Sequence, residues 1–126
     1  MSNAESLKPV VLVVEDETLI RMDAMEMIRD SGYEVAEAAD ADEAVTILEA
    51  RADIVAVFTD IQMPGSMDGL KLARAIRDRW PPIKILAASG NVKLGLDDLP
   101  SGGQFLRKPY TGRQIKQALH DLIGAA

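Results

Sequence analysis

The sequence predicts an α/β protein built on a doubly wound, five-stranded parallel sheet with helices on both faces. Two observations support this class. The first is an unbroken β-branched and apolar run over residues 10–14, which is typical of a strand buried on both faces. The second is the alternation of strand-like and helix-like segments along the chain, because parallel neighbours must be joined by crossovers, which are normally right-handed.

Five short apolar segments have the length and composition of strands. The first ends at Glu15 and Asp16, and the second is weaker because Glu34 and Glu37 interrupt it. The third leads directly into Asp60. The predicted strands cover residues 10–14, 33–38, 54–59, 83–88 and 104–107.

Helical periodicity follows the first strand over residues 17–30 and stops at Ser31-Gly32, because glycine is common just beyond a helix end. The second helix begins near Ala41, where the side chain of Asp40 can cap it. The last helix begins at Thr111-Gly112-Arg113-Gln114, which fits a capping box. It carries Ile115, Leu119 and Leu122 on one face.

The third helix is predicted over residues 68–79, after a turn at Pro64-Gly65 and before the helix-stopping run Trp80-Pro81-Pro82. The segment 91–103 has the weakest signal. Its leucines, Leu94, Leu96 and Leu99, indicate at most a short helix before a loop.

Length and composition limit the classes of function. A chain of 126 residues fits one domain, and 48% hydrophobic with 27% charged residues is typical of a globular protein rather than a disordered one. The net charge of −6 argues against direct binding to nucleic acid or anionic membrane. The absence of cysteine excludes disulfides, thiolate zinc sites and cysteine nucleophiles.

The domain is expected to cover residues 8–126. We predict that residues 1–7 are disordered, and Ser2-Asn3-Ala4 within them resembles a cloning remnant. No apolar run reaches the length needed to cross a bilayer, so a cytoplasmic location is expected.

Polar, reactive residues follow four of the five predicted strands. Glu15 and Asp16 follow the first, Asp60 the third, Ser89 the fourth and Lys108 the fifth. In open α/β sheets the carboxyl ends of the strands meet at one edge, where ligands bind. Three carboxylates gathered there repel one another, so the site should hold raised pKa values or recruit a cation.

Oxygen ligands without imidazole or thiolate suit Mg²⁺, which commonly binds one or two carboxylates together with phosphate oxygens. Lys108 and Ser89 supply a positive charge and a hydroxyl donor for the oxygens of a transferring phosphoryl group. An aspartate such as Asp60 can act as a covalent acceptor. The residue types therefore indicate phosphoryl transfer onto a carboxylate, and they leave the donor open.

Taken together, these segments resemble the receiver domains of bacterial two-component response regulators, which have the flavodoxin-like fold of CheY-like proteins. The resemblance covers residues 8–123 and suggests a receiver without an output domain of its own. Four motifs carry it, in the right order and each at a strand end. They are Val11-Leu12-Val13-Val14-Glu15-Asp16, Thr59-Asp60-Ile61-Gln62-Met63-Pro64-Gly65-Ser66-Met67-Asp68-Gly69, Ser89-Gly90 and Lys108-Pro109.

The resemblance implies that Asp60 accepts a phosphoryl group from a histidine kinase or a histidine phosphotransfer protein. It also implies that Asp16, Asp60 and the Gln62 backbone carbonyl ligate Mg²⁺, with Glu15 reaching it through water. Ser89 and Lys108 would hold the phosphoryl oxygens. The family usually has a cis peptide before the proline that follows this lysine, which an X-Pro bond allows at low cost.

The same resemblance implies a switch in which phosphorylation draws Ser89 inward and lets Phe105 turn inward, changing the surface that binds an unknown downstream protein. Self-phosphorylation and slow dephosphorylation would be the only chemistry, and homodimer formation is left open. Three departures from the family bear on this switch. Ser89 and Lys108 are about three residues closer in sequence than usual, Phe105 lacks a tyrosine hydroxyl, and Gln62 and Asn91 are amides at positions that tune dephosphorylation.

Other functions fit less well. A hydrolase with an aspartyl-phosphate intermediate would need Asp-x-Asp after the first strand, where Asp16 is instead followed by Glu17-Thr18. Neither glycine-rich nucleotide-binding motif follows that strand. A phosphorylation-independent binding or dimerisation module remains the alternative. His120 is interpreted as a solvated helix residue.

Overall fold

Strands and helices alternate in the computed structural model, which describes residues 8–63, 67–90, 98–100 and 102–124. Nine regular elements lie within these ranges. In chain order they are β1 (Val10–Val14), α1 (Thr18–Asp30), β2 (Glu34–Ala38), α2 (Ala41–Ala50), β3 (Ile54–Asp60), α3 (Gly69–Arg79), β4 (Lys84–Ser89), β5 (Gln104–Arg107) and α4 (Gly112–Ile123).

The five strands form one sheet in the order β2-β1-β3-β4-β5, and every neighbouring pair is parallel. The predicted fold class is therefore confirmed. From β1 the chain first adds β2 on one side and then β3 on the other. This reversal opens a crevice at the carboxyl ends of β1 and β3, which is where such sheets bind ligands.

Within the described ranges, two helices cover each face of the sheet. Leu72 and Ile76 of α3, both fully buried, pack with α2 on one face, and Ile28 of α1 and Ile115 of α4 pack on the other. Burial of each such side chain stabilises the fold by roughly 1.5–3 kcal/mol. Alternate residues along the strands therefore enter different cores, as the period of a strand requires.

Local capping defines the starts of α2 and α4 as predicted, and that of α3 by a cap that was not predicted. The Asp40 carboxylate accepts from the Glu43 N–H at 2.8 Å, and the Asp68 carboxylate accepts from the Lys71 N–H at 2.9 Å. The capping box of α4 has both of its bonds, with the Gln114 N–H donating to the Thr111 hydroxyl at 3.2 Å. Helix α3 therefore begins one residue later than predicted, because Asp68 is its cap rather than its first helical residue.

Other boundaries also differ by one residue from the predicted ones. Glu17 is extended and precedes α1, although its side chain forms no cap. Ile83 precedes β4 because its N–H donates to the Trp80 carbonyl within a turn. Strands β3 and β4 continue through Asp60 and Ser89, so both residues belong to the sheet ladder.

Some predictions fall outside the described residues. They are the predictions for residues 1–7, for the Pro64-Gly65 turn, and for the part of segment 91–103 that contains Leu94 and Leu96. Leu99, at the end of that segment, is buried against the α2–α3 core. His120 lies in α4 as predicted, but it is less solvated than the interpretation held. Its ring is partly buried and lies edge-on to Tyr33, with a centroid distance of 6.2 Å.

Candidate functional site

The three acidic residues predicted at the sheet edge converge. Oxygen atoms of Glu15, Asp16 and Asp60 all lie within 4.8 Å of one another. They meet because β1 and β3 are neighbours in register, with Val14 opposite Thr59, so the residues that follow lie side by side. Glu15 and Asp60 are 5% and 7% exposed, whereas Asp16 faces solvent. The cluster thus has an open side.

Lys108 places a positive charge against two of these carboxylates. Its Nζ lies 3.2 Å from Oδ1 of Asp60 and 3.8 Å from Oε1 of Glu15. The Lys108 N–H donates to the Ser89 carbonyl at 3.0 Å, which continues the β4–β5 ladder beyond the end of β5. The Lys108–Pro109 peptide is cis, as predicted.

Gln62 and Ser89 adjoin the cluster through their backbones. The Gln62 N–H donates to Oδ1 of Asp60 at 3.3 Å, so the Gln62 peptide lies beside the Asp60 carboxylate. The Ile61 N–H donates to the Ala88 carbonyl at 3.0 Å, which joins the ends of β3 and β4. Ser89 is fully buried at the last position of β4. Both residues therefore lie at the predicted edge, and their roles there remain predictions.

Phe105 lies on the same side of the sheet as Ser89. Ala87 and Phe105 are partners in the β4–β5 register, and strand alternation directs Ser89 to the side of Ala87. Phe105 packs against the α2–α3 core and is partly buried, with the Arg107 guanidinium 5.0 Å from its ring centroid. A serine and an aromatic residue on one face of adjacent strands could move together, and this coupling also remains a prediction.

The electrostatics of the site reflect three carboxylates facing one lysine. Burial raises the pKa of Glu15 to about 7, with further contributions from the charge of Asp60 and a hydrogen bond with Asp16. The hydrogen bond from Glu17 N–H and the charge of Lys108 act in the opposite direction. Burial, followed by the charges of Glu15 and Asp60, also raises the pKa of Tyr110 to about 12. The three carboxylates thus outnumber the single ammonium beside them, and their oxygen donors suit a divalent cation such as Mg²⁺.

A pH-dependent stability follows from Glu15. The unfolded chain loses this proton near pH 4.5 and the folded protein near pH 7. Between these values the folded state binds more protons, so the free energy of unfolding falls as pH rises. In Mg²⁺-free buffer, Glu15→Gln should remove this decrease in the free energy of unfolding. The amide oxygen of the glutamine can still accept the hydrogen bond from the Glu17 N–H. Denaturant melts should show the variant at most about 3 kcal/mol more stable than the native chain at pH 8, and equal to it below pH 4.5.

Glu26→Gln is the matched control for this experiment, because it removes an exposed carboxylate from α1. Its free energy of unfolding should follow that of the native chain across the same pH range. If Glu15→Gln left the pH dependence unchanged, Glu15 would not be the buried acid that destabilises the protein above pH 7.

Gly69 lets the backbone of α3 approach the end of β3. Its N–H donates to the Ile61 carbonyl at 2.9 Å. A Cβ atom at Gly69 would lie 2.6 Å from the Ile61 Cα and 2.9 Å from the Asp60 carbonyl carbon, and it would overlap the Asp60 carbonyl oxygen. These are backbone atoms held in the sheet, so they cannot rotate away. Gly69 therefore supports the position of Asp60.

Gly69→Ala should destabilise the protein by about 3 kcal/mol, because overpacking against fixed backbone costs this much. Urea denaturation measures the change. Gly112→Ala is the control, since a Cβ there would meet only Met27 Cγ at an ordinary 3.7 Å. Equal stability of the two alanine variants would contradict the close approach of Gly69 to Asp60.

Arg21 is a site residue that the sequence analysis missed. Its Nη1 donates to the Glu15 backbone carbonyl at 2.7 Å, and its Nε donates to Oε1 of Glu37 at 2.9 Å. The only signal in the sequence was an arginine five residues after Asp16, one turn into the predicted helix. That spacing is too common among surface arginines to indicate a contact with the acidic pair.

Comparison with known proteins identifies the family. The family model named Response regulator receiver domain matches residues 11–120. The chain belongs to this family. The receiver domain is 47% identical over 105 residues to the transcriptional regulatory protein PdtaR of Mycobacterium tuberculosis, covering 80% of this chain and 50% of that protein. It is 34% identical over 117 residues to the sensor kinase CckA of Brucella abortus, covering 90% of this chain and 12% of that protein.

The receiver domain thus spans half or less of the length of these two relatives. Among solved structures, it matches a response regulator receiver protein from Sinorhizobium medicae with a TM-score of 0.86 and 27% identity, over 94% of this chain and 96% of that one. It matches the response regulator TrrA from Thermotoga maritima, in complex with Mg²⁺–BeF, with a TM-score of 0.79 and 26% identity, over 90% of this chain and 97% of that one.

The receiver domain of the hybrid histidine kinase CckA matches with a TM-score of 0.76 and 31% identity, over 90% of this chain and 98% of that one. The coverage and TM-scores of these matches agree with the receiver fold of this chain. Among the described residues, no helix is both long and apolar enough to cross a membrane.

Proposed function

We propose that this receiver domain accepts a phosphoryl group on Asp60 and relays the signal by changing which protein it binds. One observation carries the proposal. The Asp60 carboxylate lies at the switch point of the sheet, in contact with the Lys108 ammonium and within 4.8 Å of two further carboxylates. A nucleophilic oxygen, a fixed cation and a set of oxygen donors are the parts that phosphoryl transfer to a carboxylate requires.

The reaction proposed for Asp60 is an in-line transfer. A carboxylate oxygen of Asp60 attacks phosphorus and forms a P–O bond, while the bond between phosphorus and the donor breaks and its electron pair leaves with the donor. From a phosphohistidine the leaving group is the imidazole, and from acetyl phosphate it is acetate. The product is an aspartyl phosphate. Lys108 and the Ser89 hydroxyl are assigned to the phosphoryl oxygens, where charge increases during transfer.

We assign a Mg²⁺ site to the same cluster, with Asp16, Asp60 and the Gln62 backbone carbonyl as direct ligands and Glu15 acting through water. When bound, Mg²⁺ supplies positive charge that offsets the repulsion between the carboxylates and the phosphoryl group. The raised pKa of Glu15 is compatible with this assignment, because burial raises it first and the charge of Asp60 adds to it, and a cation that offsets that charge would favour the ionised form. The complex of the similar protein TrrA with Mg²⁺–BeF also supports it.

We propose a histidine kinase or a histidine phosphotransfer protein as the phosphodonor, in keeping with the sensor kinase among the relatives. Phosphorylation would then move Ser89 and Phe105 together and alter the surface around β5. The receiver would act in the cytoplasm as one domain over residues 8–126, with no turnover beyond its own phosphorylation and dephosphorylation. The net charge of −6 favours a protein partner over nucleic acid.

Intact-mass spectrometry after incubation with acetyl phosphate tests the proposal. We expect a gain of one phosphoryl group that requires Mg²⁺, is prevented by EDTA, and is removed by hydroxylamine as an acyl phosphate should be. If Mg²⁺ binds but no phosphoryl group is gained from acetyl phosphate or from a phosphorylated phosphotransfer protein, the phosphoacceptor function is wrong. The alternative would then be a phosphorylation-independent binding or dimerisation module.

A further inference from the structure

Arg21 joins the acidic loop after β1 to two other elements. Its guanidinium donates to the backbone carbonyl of Glu15 at 2.7 Å and to the Glu37 carboxylate at the end of β2 at 2.9 Å. The Arg21 side chain is 14% exposed, which is low for a residue in the first turn of a helix beside an open site. The loop that holds Glu15 and Asp16 is therefore fixed from the helix that follows it.

This loop has few other interactions to hold it. Helix α1 lacks a side-chain cap, because the side chain of Glu17 makes no capping bond. Besides the Lys108 ammonium, which lies 3.8 Å from Oε1 of Glu15, two hydrogen bonds complement the contact from Arg21. The Glu15 N–H donates to the Ala38 carbonyl at 3.1 Å, and the Glu17 N–H donates to Oε2 of Glu15 at 3.1 Å. The second bond occupies an oxygen of the Glu15 carboxylate, which belongs to the acidic cluster. The bond from Arg21 uses the Glu15 backbone carbonyl instead, so it leaves the side chains of Glu15 and Asp16 free to bind a cation.

The two contacts of Arg21 differ in importance. Glu37 is 53% exposed, and an ion pair with such an exposed carboxylate stabilises a protein little. The bond to the Glu15 carbonyl is part-buried, short and charge-assisted, which makes it the stronger of the two. Its loss would free the backbone between two carboxylates that repel each other and Asp60.

We propose that Arg21 is a positioning residue that holds the Glu15-Asp16 loop in the geometry in which its carboxylates bind a divalent cation. This inference rests on the cation site of the proposed function. Without Arg21, the carboxylates separate, and the cation must bring them back together when it binds. Residues that orient metal ligands from outside the coordination shell commonly change metal affinity by about 10–100-fold when removed.

The direction of the effect separates this role from simple electrostatics. Removing a positive charge near an acidic cluster should by itself strengthen Mg²⁺ binding, because the cation then meets less repulsion. Loss of a positioning contact should weaken it. Arg29→Met provides the purely electrostatic comparison, since Arg29 is an exposed arginine in the last turn of the same helix.

Isothermal titration calorimetry of the unphosphorylated chain with MgCl₂ is the first measurement. We expect Arg21→Met to raise the Kd for Mg²⁺ at least about ten-fold, Arg21→Lys to raise it by an intermediate factor, and Glu37→Gln to change it less than about two-fold. Arg21→Lys retains the charge and most of the side chain, so it tests the proposal if Arg21→Met does not fold.

The rate of phosphorylation by acetyl phosphate, measured against Mg²⁺ concentration, is the second readout. Arg21 variants should need more Mg²⁺ for half-maximal rate and should approach the native rate at saturation. An unchanged or lowered Kd in both Arg21 variants would overturn the positioning role, and so would a rate that stays low at saturating Mg²⁺. Because calorimetry needs no phosphoryl transfer, a native chain that binds Mg²⁺ but gains no phosphoryl group would refute the proposed function separately.

Discussion

Asp60→Asn should abolish the gain of a phosphoryl group from acetyl phosphate and from a phosphohistidine donor. The amide has the shape of the carboxylate, and its oxygen can still accept from the Gln62 N–H, which lies 3.3 Å from Oδ1 of Asp60. It lacks the negative charge that makes the oxygen a nucleophile. Intact mass after incubation with Mg²⁺ and donor measures the loss directly.

Asp53→Asn is the matched control for Asp60→Asn. Asp53 precedes β3, at the opposite end of the strand from Asp60, and its carboxylate is exposed and paired with Arg51. This variant should gain one phosphoryl group as the native chain does. If the Asp60→Asn variant were still phosphorylated at the native rate, another carboxylate such as Asp16 would be the acceptor and the assignment would be wrong.

Lys108→Met should lower the rate of phosphorylation by about 100–1,000-fold, the usual effect of removing a group that stabilises charge during transfer. It should also strengthen Mg²⁺ binding. The Lys108 ammonium lies 3.2 Å from Asp60 and 3.8 Å from Glu15, where it competes with a cation for the same oxygens. Opposite changes in rate and in metal affinity distinguish loss of this charge from general damage to the site.

Lys116→Met, which removes an exposed lysine from α4, controls for the loss of one positive charge elsewhere. The rate of phosphorylation and the affinity for Mg²⁺ should both stay close to those of the native chain. Quench-flow or stopped-flow phosphorylation gives the rate, and calorimetry with MgCl₂ gives the affinity. A Lys108→Met variant with native transfer rate at saturating Mg²⁺ would exclude Lys108 from phosphoryl binding.

Some of the site could be predicted from the sequence because the relevant interactions depend on topology. Once the segments ending at Glu15-Asp16 and at Asp60 are recognised as parallel strands, their carboxyl ends must lie on one edge, whatever the side-chain packing. The same reasoning places Lys108 at this edge, because Lys108 comes directly after β5. The structure confirmed this convergence and added the distances that select Lys108 as the partner of Asp60.

Caps and strand patterns were predictable because they depend on neighbours in sequence. The Asp40 cap and the Thr111–Gln114 capping box involve residues only three positions apart, so their sequence pattern carries the interaction. The sequence by itself thus determined the order of elements, the helix starts to within one residue, and the site residues that follow the strands, but not Arg21.

Only the tertiary structure revealed the contacts that depend on close approach between distant segments. Arg21 reaches the Glu15 carbonyl and Glu37 across a helix and a strand, and Gly69 meets the backbone of Asp60 nine residues away. The pKa of Glu15 likewise depends on burial by the whole fold. Such effects vary over distances of about an ångström, and residue order along the chain does not specify distances that finely.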